Sequence, residues 1–149
     1  MAPELLPYFF EGTVVSGFGR GSRELGCPTA NLDEKAVSQL PSTFPNGVFY
    51  GLAKVDDGLI YRMVMSVGWN PQYKNEKRTI EVHILHSFSE DFYGSRIRCV
   101  ALGYLREMTT FSSIDELKTA ITTDIYAAKS HMKEVNTETF DLDSHFGNK

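Results

Sequence analysis

A glycine-rich segment early in the chain has the composition of a loop that binds phosphate. Residues 15–32 read VSGFGRGSRELGCPTANL, with Gly17, Gly19 and Gly21 followed by Arg23. Glycines let a backbone turn tightly and bring its amide groups within reach of phosphate oxygens. The segment lacks the Gly-Lys-Ser/Thr ending of a P-loop and the helix-opening GxGxxG pattern of a dinucleotide-binding turn. The composition by itself fits a mobile hairpin tip equally well.

A hydroxyl and an amide follow these glycines at once, in the segment Pro28-Thr29-Ala30-Asn31. In an extended backbone, side chains two residues apart lie on the same face, so Thr29 and Asn31 share one. Their oxygens suit Mg²⁺, which keeps most of its waters in proteins and is commonly shared with substrate phosphates. The alternative is that both residues simply belong to the polar face of a strand.

One acidic residue in a later apolar segment is the candidate for acid–base chemistry. Glu81 lies in TIEVHIL, where alternation puts it on the face opposite Ile80 and Val82. A carboxylate within hydrogen-bond reach of a substrate hydroxyl can accept its proton. A solvated outer face of a barrel is the competing interpretation. His83 and His86 point to opposite faces of an extended strand, so we do not predict a zinc site there.

The segments that carry these residues have the pattern of short antiparallel strands. β-Branched and aromatic runs are separated by Gly, Pro, Asn and Asp, and the Asp57-Gly58 step predicts a tight hairpin. Closure into a small barrel hides the edges of five or six such strands. Strands are predicted at 9–15, 48–55, 60–67, 79–85 and 96–105, and a loop is predicted at 66–77.

The periodicity changes near Ser112, and a helix is predicted from about 113 to 132. Ser113 and Glu116 have the spacing of a capping box. The remaining residues, 133–149, are polar and aperiodic, so we expect them to pack loosely. The fold class predicted from the residues is mainly β with a terminal helix, in one domain over 1–149. The helix prediction rests on apolar residues that recur at three- and four-residue steps and so share one helical face, namely Ile114, Leu117, Ile121, Ile125, Ala128 and Met132.

The overall composition limits the classes of partner. The chain has 149 residues, a formal net charge of -4 and a pI near 5.5, which argues against general attraction to nucleic acid or anionic lipid. It has no apolar stretch near the roughly 20 residues of a membrane span and no basic segment leading into an apolar run. Cys27 and Cys99 are expected to be free thiols. We therefore expect a cytoplasmic monomer that binds neither membrane nor nucleic acid.

Five segments stand out along the chain, in this order: GxVxxGxGRGSxxLGxPTAN from Gly12 to Asn31, PNGVFYG, SVGWNPQYKN, TIEVHIL and DFYG. Taken together and in this order, they resemble the riboflavin kinase (flavokinase) family of the eukaryotic single-function type. The resemblance covers roughly Tyr8 to Ala128 and implies a six-stranded Greek-key antiparallel β-barrel, over about 8–105, with a C-terminal α-helix. It also implies transfer of the γ-phosphoryl of ATP to the ribityl 5′-hydroxyl of riboflavin, giving FMN and ADP.

The resemblance also implies roles for individual residues. Glu81 matches the catalytic base of the family, and Thr29 and Asn31 match its ligands for Mg²⁺ and phosphate, with Zn²⁺ or Mn²⁺ as alternative metals. The residues implied to contact ATP further include Gly17, Gly19, Gly21, Arg23, His86 and Tyr93. The residues implied to contact the flavin are Arg106, Thr109, Phe111 and Leu117.

Two other functions are compatible with a small barrel. A non-catalytic flavin- or nucleotide-binding barrel would bind its ligand without releasing ADP. A barrel that binds single-stranded oligonucleotides would use aromatic loops, but the acidic balance and the lack of a basic stripe argue against it. The substrates implied by the resemblance are riboflavin and ATP, with FMN and ADP as products.

Overall fold

Six antiparallel strands close into a barrel in the computed structural model, with neighbours in the order β1-β2-β5-β4-β3-β6. The structure describes residues 6–15, 29–56, 58–69, 78–85, 94–108, 113–137 and 139–142. The barrel and the helix after it confirm the predicted fold class. The elements are β1 (Tyr8–Val15), β2 (Thr29–Leu32), α1 (Glu34–Ser38), β3 (Gly47–Val55), β4 (Ile60–Trp69), β5 (Arg78–Ile84), β6 (Arg96–Arg106) and α2 (Ile114–His131).

Alternation of apolar and polar residues decides which side of each strand faces the interior. In β5, Ile80, Val82 and Ile84 are fully buried, whereas the residues between them are only partly covered. Glu81 and His83 therefore face outward, on the side opposite these apolar residues, which is the alternation that the sequence predicts. Cys99 lies inside the barrel as a free cysteine, where burial raises the pKa of its thiol and keeps it protonated.

The predicted hairpin forms between β3 and β4, with Asp56 in the left-handed region at φ 50°. Its carboxylate accepts a hydrogen bond from the backbone N–H of Arg96 at 2.9 Å, which ties the turn to β6. The prediction that the loop begins at Ser66 is wrong, because β4 continues to Trp69. Residues 66–69 pair with β5, and Ser66 lies opposite Glu81.

The predicted C-terminal helix is confirmed as α2, with Ser113 as its N-cap. The Ser113 side chain accepts a hydrogen bond from the backbone N–H of Glu116 at 3.1 Å, as in a capping box. The helix packs outside the barrel, where its buried residues join an apolar cluster from three strands. That cluster contains Val48, Leu52, Val64 and Val100 of the barrel with Ala128 and Met132 of the helical segment. None of the helices among the described residues is long and apolar enough to cross a membrane.

The segment after α2 differs from the expectation of loose packing. Leu142 is only 1% exposed and belongs to the cluster beneath the helix. The guanidinium of Arg62 donates to the backbone carbonyls of Met132 and Val135, at 3.2 and 2.8 Å. A few isolated apolar residues pack this segment against the barrel. They recur at no regular spacing, so the sequence pattern did not identify them.

The short helix α1 was not predicted, because five residues are too few to show a helical period. It packs directly on β1 at Gly12, where a Cβ atom would lie 2.7 Å from the Cβ of Ala36. Asp33, at the N-terminus of α1, accepts a hydrogen bond from the backbone N–H of Thr13 at 3.2 Å. These contacts fix the connection between β2 and β3 against the barrel.

Gly51 lies where β3 and β6 approach each other closely, and this contact supports a prediction about stability. It lies at a register shift between β3 and β6, where a Cβ atom would overlap the backbone carbonyl of Val100. We expect Gly51→Ala to lower the free energy of unfolding by about 2 kcal/mol or more, since backbone atoms cannot rotate away. Thermal denaturation followed by circular dichroism measures the effect.

Gly68→Ala is the matched control for this substitution. A Cβ atom at Gly68 would approach only the flexible side chain of Met108, at 3.4 Å. We expect its melting temperature to stay close to that of the unmodified protein. Equal melting temperatures for the two variants would contradict the packing argument at Gly51.

Candidate active site

The candidate base and one candidate metal ligand are direct neighbours across two strands. Glu81 of β5 lies opposite Asn31 of β2 on one side and opposite Ser66 of β4 on the other. Directly paired residues of antiparallel strands project to the same face, with Cβ atoms about 4.5–5.5 Å apart. A carboxylate, an amide and a hydroxyl that are far apart in sequence are thereby brought together on the outer face of the barrel.

The pairing extends this group into a continuous row around the barrel, which we call the register row. Ser66 lies opposite Val48 of β3, and Val48 lies opposite Arg106 of β6. On the other side, Asn31 lies opposite Val15, the last residue of β1. The register row comprises Val15, Asn31, Glu81, Ser66, Val48 and Arg106.

The two ends of the register row are adjacent in sequence to the two segments predicted to contact substrates. The glycine-rich segment connects Val15 to Thr29, and Thr109 and Phe111 follow soon after Arg106 in sequence. The strands therefore bring both attachment points to one band of the barrel, with Glu81 between them.

The oxygen atoms near Glu81 are of the type that a hard divalent cation prefers. Asn31 is 9% exposed, so its amide lies in a partly desolvated position beside the carboxylate. Amide, carboxylate and hydroxyl oxygens together with water suit Mg²⁺, which keeps an octahedral shell of oxygens. Thr29 lies two residues before Asn31 on β2, in register with His83. This donor set fits the magnesium ion that the resemblance implies.

An ion pair joins the end of the register row to the helix. Arg106 donates from Nε to Oδ1 of Asp124 and from Nη2 to Oδ2, both at 2.8 Å. Arg106 Nη1 also donates to the backbone carbonyl of Glu107 at 3.0 Å. Two parallel bonds of this kind fix both the position and the plane of a guanidinium group.

His83 lies on the outer face of β5, two residues after Glu81. Burial lowers the pKa of His83 to about 4, although the negative charge of Asp124 acts in the opposite direction. The imidazole is therefore neutral at physiological pH. Among the described residues there is no group of three or more His, Cys, Asp or Glu side chains placed to hold a metal ion.

The low pKa of His83 predicts a loss of stability in acid. Between its ordinary pKa of 6.5 and its folded value of about 4, the unfolded chain binds the proton more readily. The contribution of His83 therefore lowers stability as the pH drops from 6.5 to 4, by up to about 3 kcal/mol, and this contribution is nearly constant above 6.5. Urea unfolding at pH 7 and pH 4.5 measures this loss. His83→Gln should lose less over the same interval, and an equal loss in both proteins would contradict the assignment.

The structure brings some of the predicted site residues together and leaves others outside this group. Glu81 and Asn31 are adjacent, and Arg106 lies further along the same row. Leu117 is not a member of the register row and lies in the first turn of α2, where it is partly buried. Eight of the predicted site residues are not among the residues that the structure describes: Gly17, Gly19, Gly21, Arg23, His86, Tyr93, Thr109 and Phe111.

Sequence reasoning did not identify two residues of this site. Ser66 falls in both the predicted strand 60–67 and the predicted loop 66–77, and it was not named as a candidate site residue. Asp124 follows Ile121 by three residues and precedes Ala128 by four, so it lies on the apolar face of the helix. A charged residue on the apolar face of a predicted helix was the sequence feature that could have identified Asp124.

Comparison with known proteins relates this chain to one family. The family model described as Flavokinase: Riboflavin kinase matches residues 5–132. The human protein named riboflavin kinase is 49% identical over 128 residues, which cover 86% of this chain and 83% of the human one. The mouse protein of the same name is 49% identical over 127 residues, covering 85% and 82%.

A solved structure supports the same relationship. The crystal structure of riboflavin kinase from Trypanosoma brucei aligns with a TM-score of 0.70 and 28% identity, covering 95% of this chain and 90% of that one. The fold and the sequence thus agree, and the residues matched by the family model include the barrel together with its helix. The chain belongs to the riboflavin kinase family.

Proposed function

We propose that this protein transfers the γ-phosphoryl group of ATP to the 5′-hydroxyl of riboflavin, giving FMN and ADP. The observation that carries the proposal is the pairing of Glu81 with Asn31 across β2 and β5, in a chain of the riboflavin kinase family. Phosphoryl transfer asks a protein mainly to align two substrates and to neutralise charge. A carboxylate beside an amide on a rigid sheet is suited to that task.

Glu81 is the catalytic base in this proposal. The chain places it at the centre of the register row, between Asn31 and Ser66, on a strand that is hydrogen-bonded on both sides. A carboxylate held there can orient the 5′-hydroxyl of riboflavin and accept its proton late in the transfer. An ordinary carboxylate suffices for this step when it is well placed, because the reaction depends largely on alignment.

Asn31 and Thr29 hold the metal and the terminal phosphates in this proposal. Both lie on β2, and β2 pairs directly with the strand that carries Glu81. When bound, Mg²⁺ neutralises charge on the phosphoryl group during transfer. The amide of Asn31 would hold that ion near the carboxylate, and the low exposure of Asn31 limits competition from bulk water.

The nucleotide and the flavin approach the register row from its two ends. For ATP we propose contacts from the glycine-rich segment through Gly17, Gly19, Gly21 and Arg23, together with His86 and Tyr93. For the flavin we propose contacts from Arg106, Thr109, Phe111 and Leu117. The three strand spacings between Glu81 and Arg106 amount to about 14 Å, a span suited to a ribityl chain and part of a tricyclic ring.

We further propose that residues 1–149 act as one domain and as a monomer in the cytoplasm, without nucleic-acid or membrane partners. The net charge of -4 supports this view, because a surface of that sign does not attract polyanions. Size-exclusion chromatography with light scattering tests the monomer, and a single-strand DNA titration at low salt tests the absence of nucleic-acid binding.

The function is tested by incubating the protein with riboflavin and Mg-ATP and separating the products by chromatography. The proposal predicts equal amounts of FMN and ADP. Saturable quenching of riboflavin fluorescence without formation of FMN would contradict it and would indicate a flavin-binding barrel instead.

A further inference from the structure

Asp124 is an anomaly in the helix that covers the barrel. It is 5% exposed, whereas the other described acidic residues of the helix, Asp115 and Glu116, are exposed to solvent. It lies on the same face as Ala128, which is fully buried against the barrel. Burial of a carboxylate costs free energy unless the group is paired, so this position requires an explanation.

Its partner is the last residue of the register row. Arg106 and Asp124 form two parallel hydrogen bonds of 2.8 Å, and the Arg106 side chain is 29% exposed while that of Asp124 is 6% exposed. The carboxylate therefore forms the buried half of the pair and the guanidinium the half nearer solvent. Such an arrangement holds the arginine against the helix and leaves part of its surface accessible.

Stability alone does not account for this ion pair. An apolar pair of similar volume at a buried site is often as stable as an ion pair or more stable. The neighbouring residues would accommodate one, because the cluster under the helix already contains Val48, Leu105 and Ile125. The ion pair instead fixes the plane of a guanidinium at the end of the row that carries Glu81.

We propose that Asp124 is a positioning residue that sets the orientation of Arg106 for recognition of the flavin. The inference rests on the proposed function, in which Arg106 contacts the isoalloxazine ring. Asp124 itself lies beneath the guanidinium and acts through it. A guanidinium of fixed plane offers directed donors to the polar edge of the ring or a flat surface to its face, and a freely rotating one offers neither reliably.

Asp124→Asn tests the proposal while preserving the shape of the side chain. We expect the KM for riboflavin to rise roughly tenfold or more, with the KM for ATP nearly unchanged, because a charge-assisted contact that orients one substrate is lost. Glu11→Gln is the matched control, since Glu11 of β1 pairs with Arg96 at 2.6 Å and with Arg98 at 3.6 Å, at the end of β6 opposite to Arg106. Its KM for riboflavin should equal that of the unmodified protein.

A double-mutant cycle separates positioning from an independent effect. If Asp124 acts through Arg106, then Asp124→Asn added to Arg106→Met should raise the KM no further than Arg106→Met alone. Additive effects would overturn the proposal. Arg106→Lys keeps the charge but cannot form two parallel bonds, so it should raise the KM even if Asp124→Asn proves too unstable to assay.

These outcomes are distinct from a failure of the proposed function. If the unmodified protein forms FMN and both Asp124→Asn and Arg106→Lys keep its KM for riboflavin, the positioning role is wrong and the kinase assignment stands. If the unmodified protein forms no FMN, the function is wrong. In that case, riboflavin affinities of the same variants, measured by fluorescence quenching, still decide whether Asp124 orients a flavin-binding arginine.

Discussion

Glu81→Gln is expected to lower kcat for FMN formation by roughly 10²–10⁴-fold, the usual contribution of a positioned general base. The substitution keeps the size and hydrogen-bonding capacity of the side chain but removes its ability to accept a proton. Its strand position, between Asn31 and Ser66, should be retained because the backbone pairing does not involve the carboxylate. Dissociation constants for riboflavin and Mg-ATP should therefore change little.

Steady-state assays of FMN formation and fluorescence titrations of riboflavin measure these two effects. Glu11→Gln is the control here as well, because it also removes an outward-facing carboxylate from the barrel. It should leave kcat unchanged. Full activity in Glu81→Gln would remove Glu81 from the role of base, whatever the control shows.

Asn31→Ala is expected to lower kcat/KM for Mg-ATP by roughly 10²–10³-fold, as for the loss of a preorganised electrostatic contact. Asn31 is nearly buried and lies directly opposite Glu81, so a smaller residue leaves the amide function unreplaced. The Mg²⁺ concentration needed for half-maximal rate should rise together with the KM for ATP. The KM for riboflavin should be affected much less.

Titration of Mg²⁺ at fixed ATP measures the effect on the metal. Asn136→Ala, which removes an exposed amide from the segment after α2, is the control and should behave like the unmodified protein. An unchanged Mg²⁺ dependence in Asn31→Ala would show that its amide neither holds nor orients the ion.

Local sequence patterns predict the parts of this protein whose structure depends on residues close together in the chain. Alternation in TIEVHIL put Glu81 on the face opposite Ile80 and Val82, since each strand residue points opposite to the next. The spacing of Ser113 and Glu116 gave the helix start, because the cap requires only neighbouring residues. The short helix α1 and the packing of Leu142 have no such signal, because contacts with the barrel hold them in place.

The arrangement of the site depends on pairings that are distant in sequence. The alternation and the composition of the sequence do not reveal that β2 pairs with β5. That pairing is what puts Asn31 beside Glu81. The family resemblance implied that Glu81 and Asn31 serve the same site, but it did not state which strands pair. The ion pair of Arg106 with Asp124 is equally non-local and was not anticipated, although a carboxylate on the apolar face of a helix is visible in the sequence.

A structure of the protein with Mg-ADP and FMN tests the central claim most directly, through the distance from the Glu81 carboxylate to the ester oxygen of the FMN phosphate. If Glu81 serves as the base, that distance should be about 2.6–3.2 Å, with Asn31 at the metal on the same side. A product phosphate bound elsewhere on the barrel, beyond hydrogen-bond reach of Glu81, would contradict the mechanism.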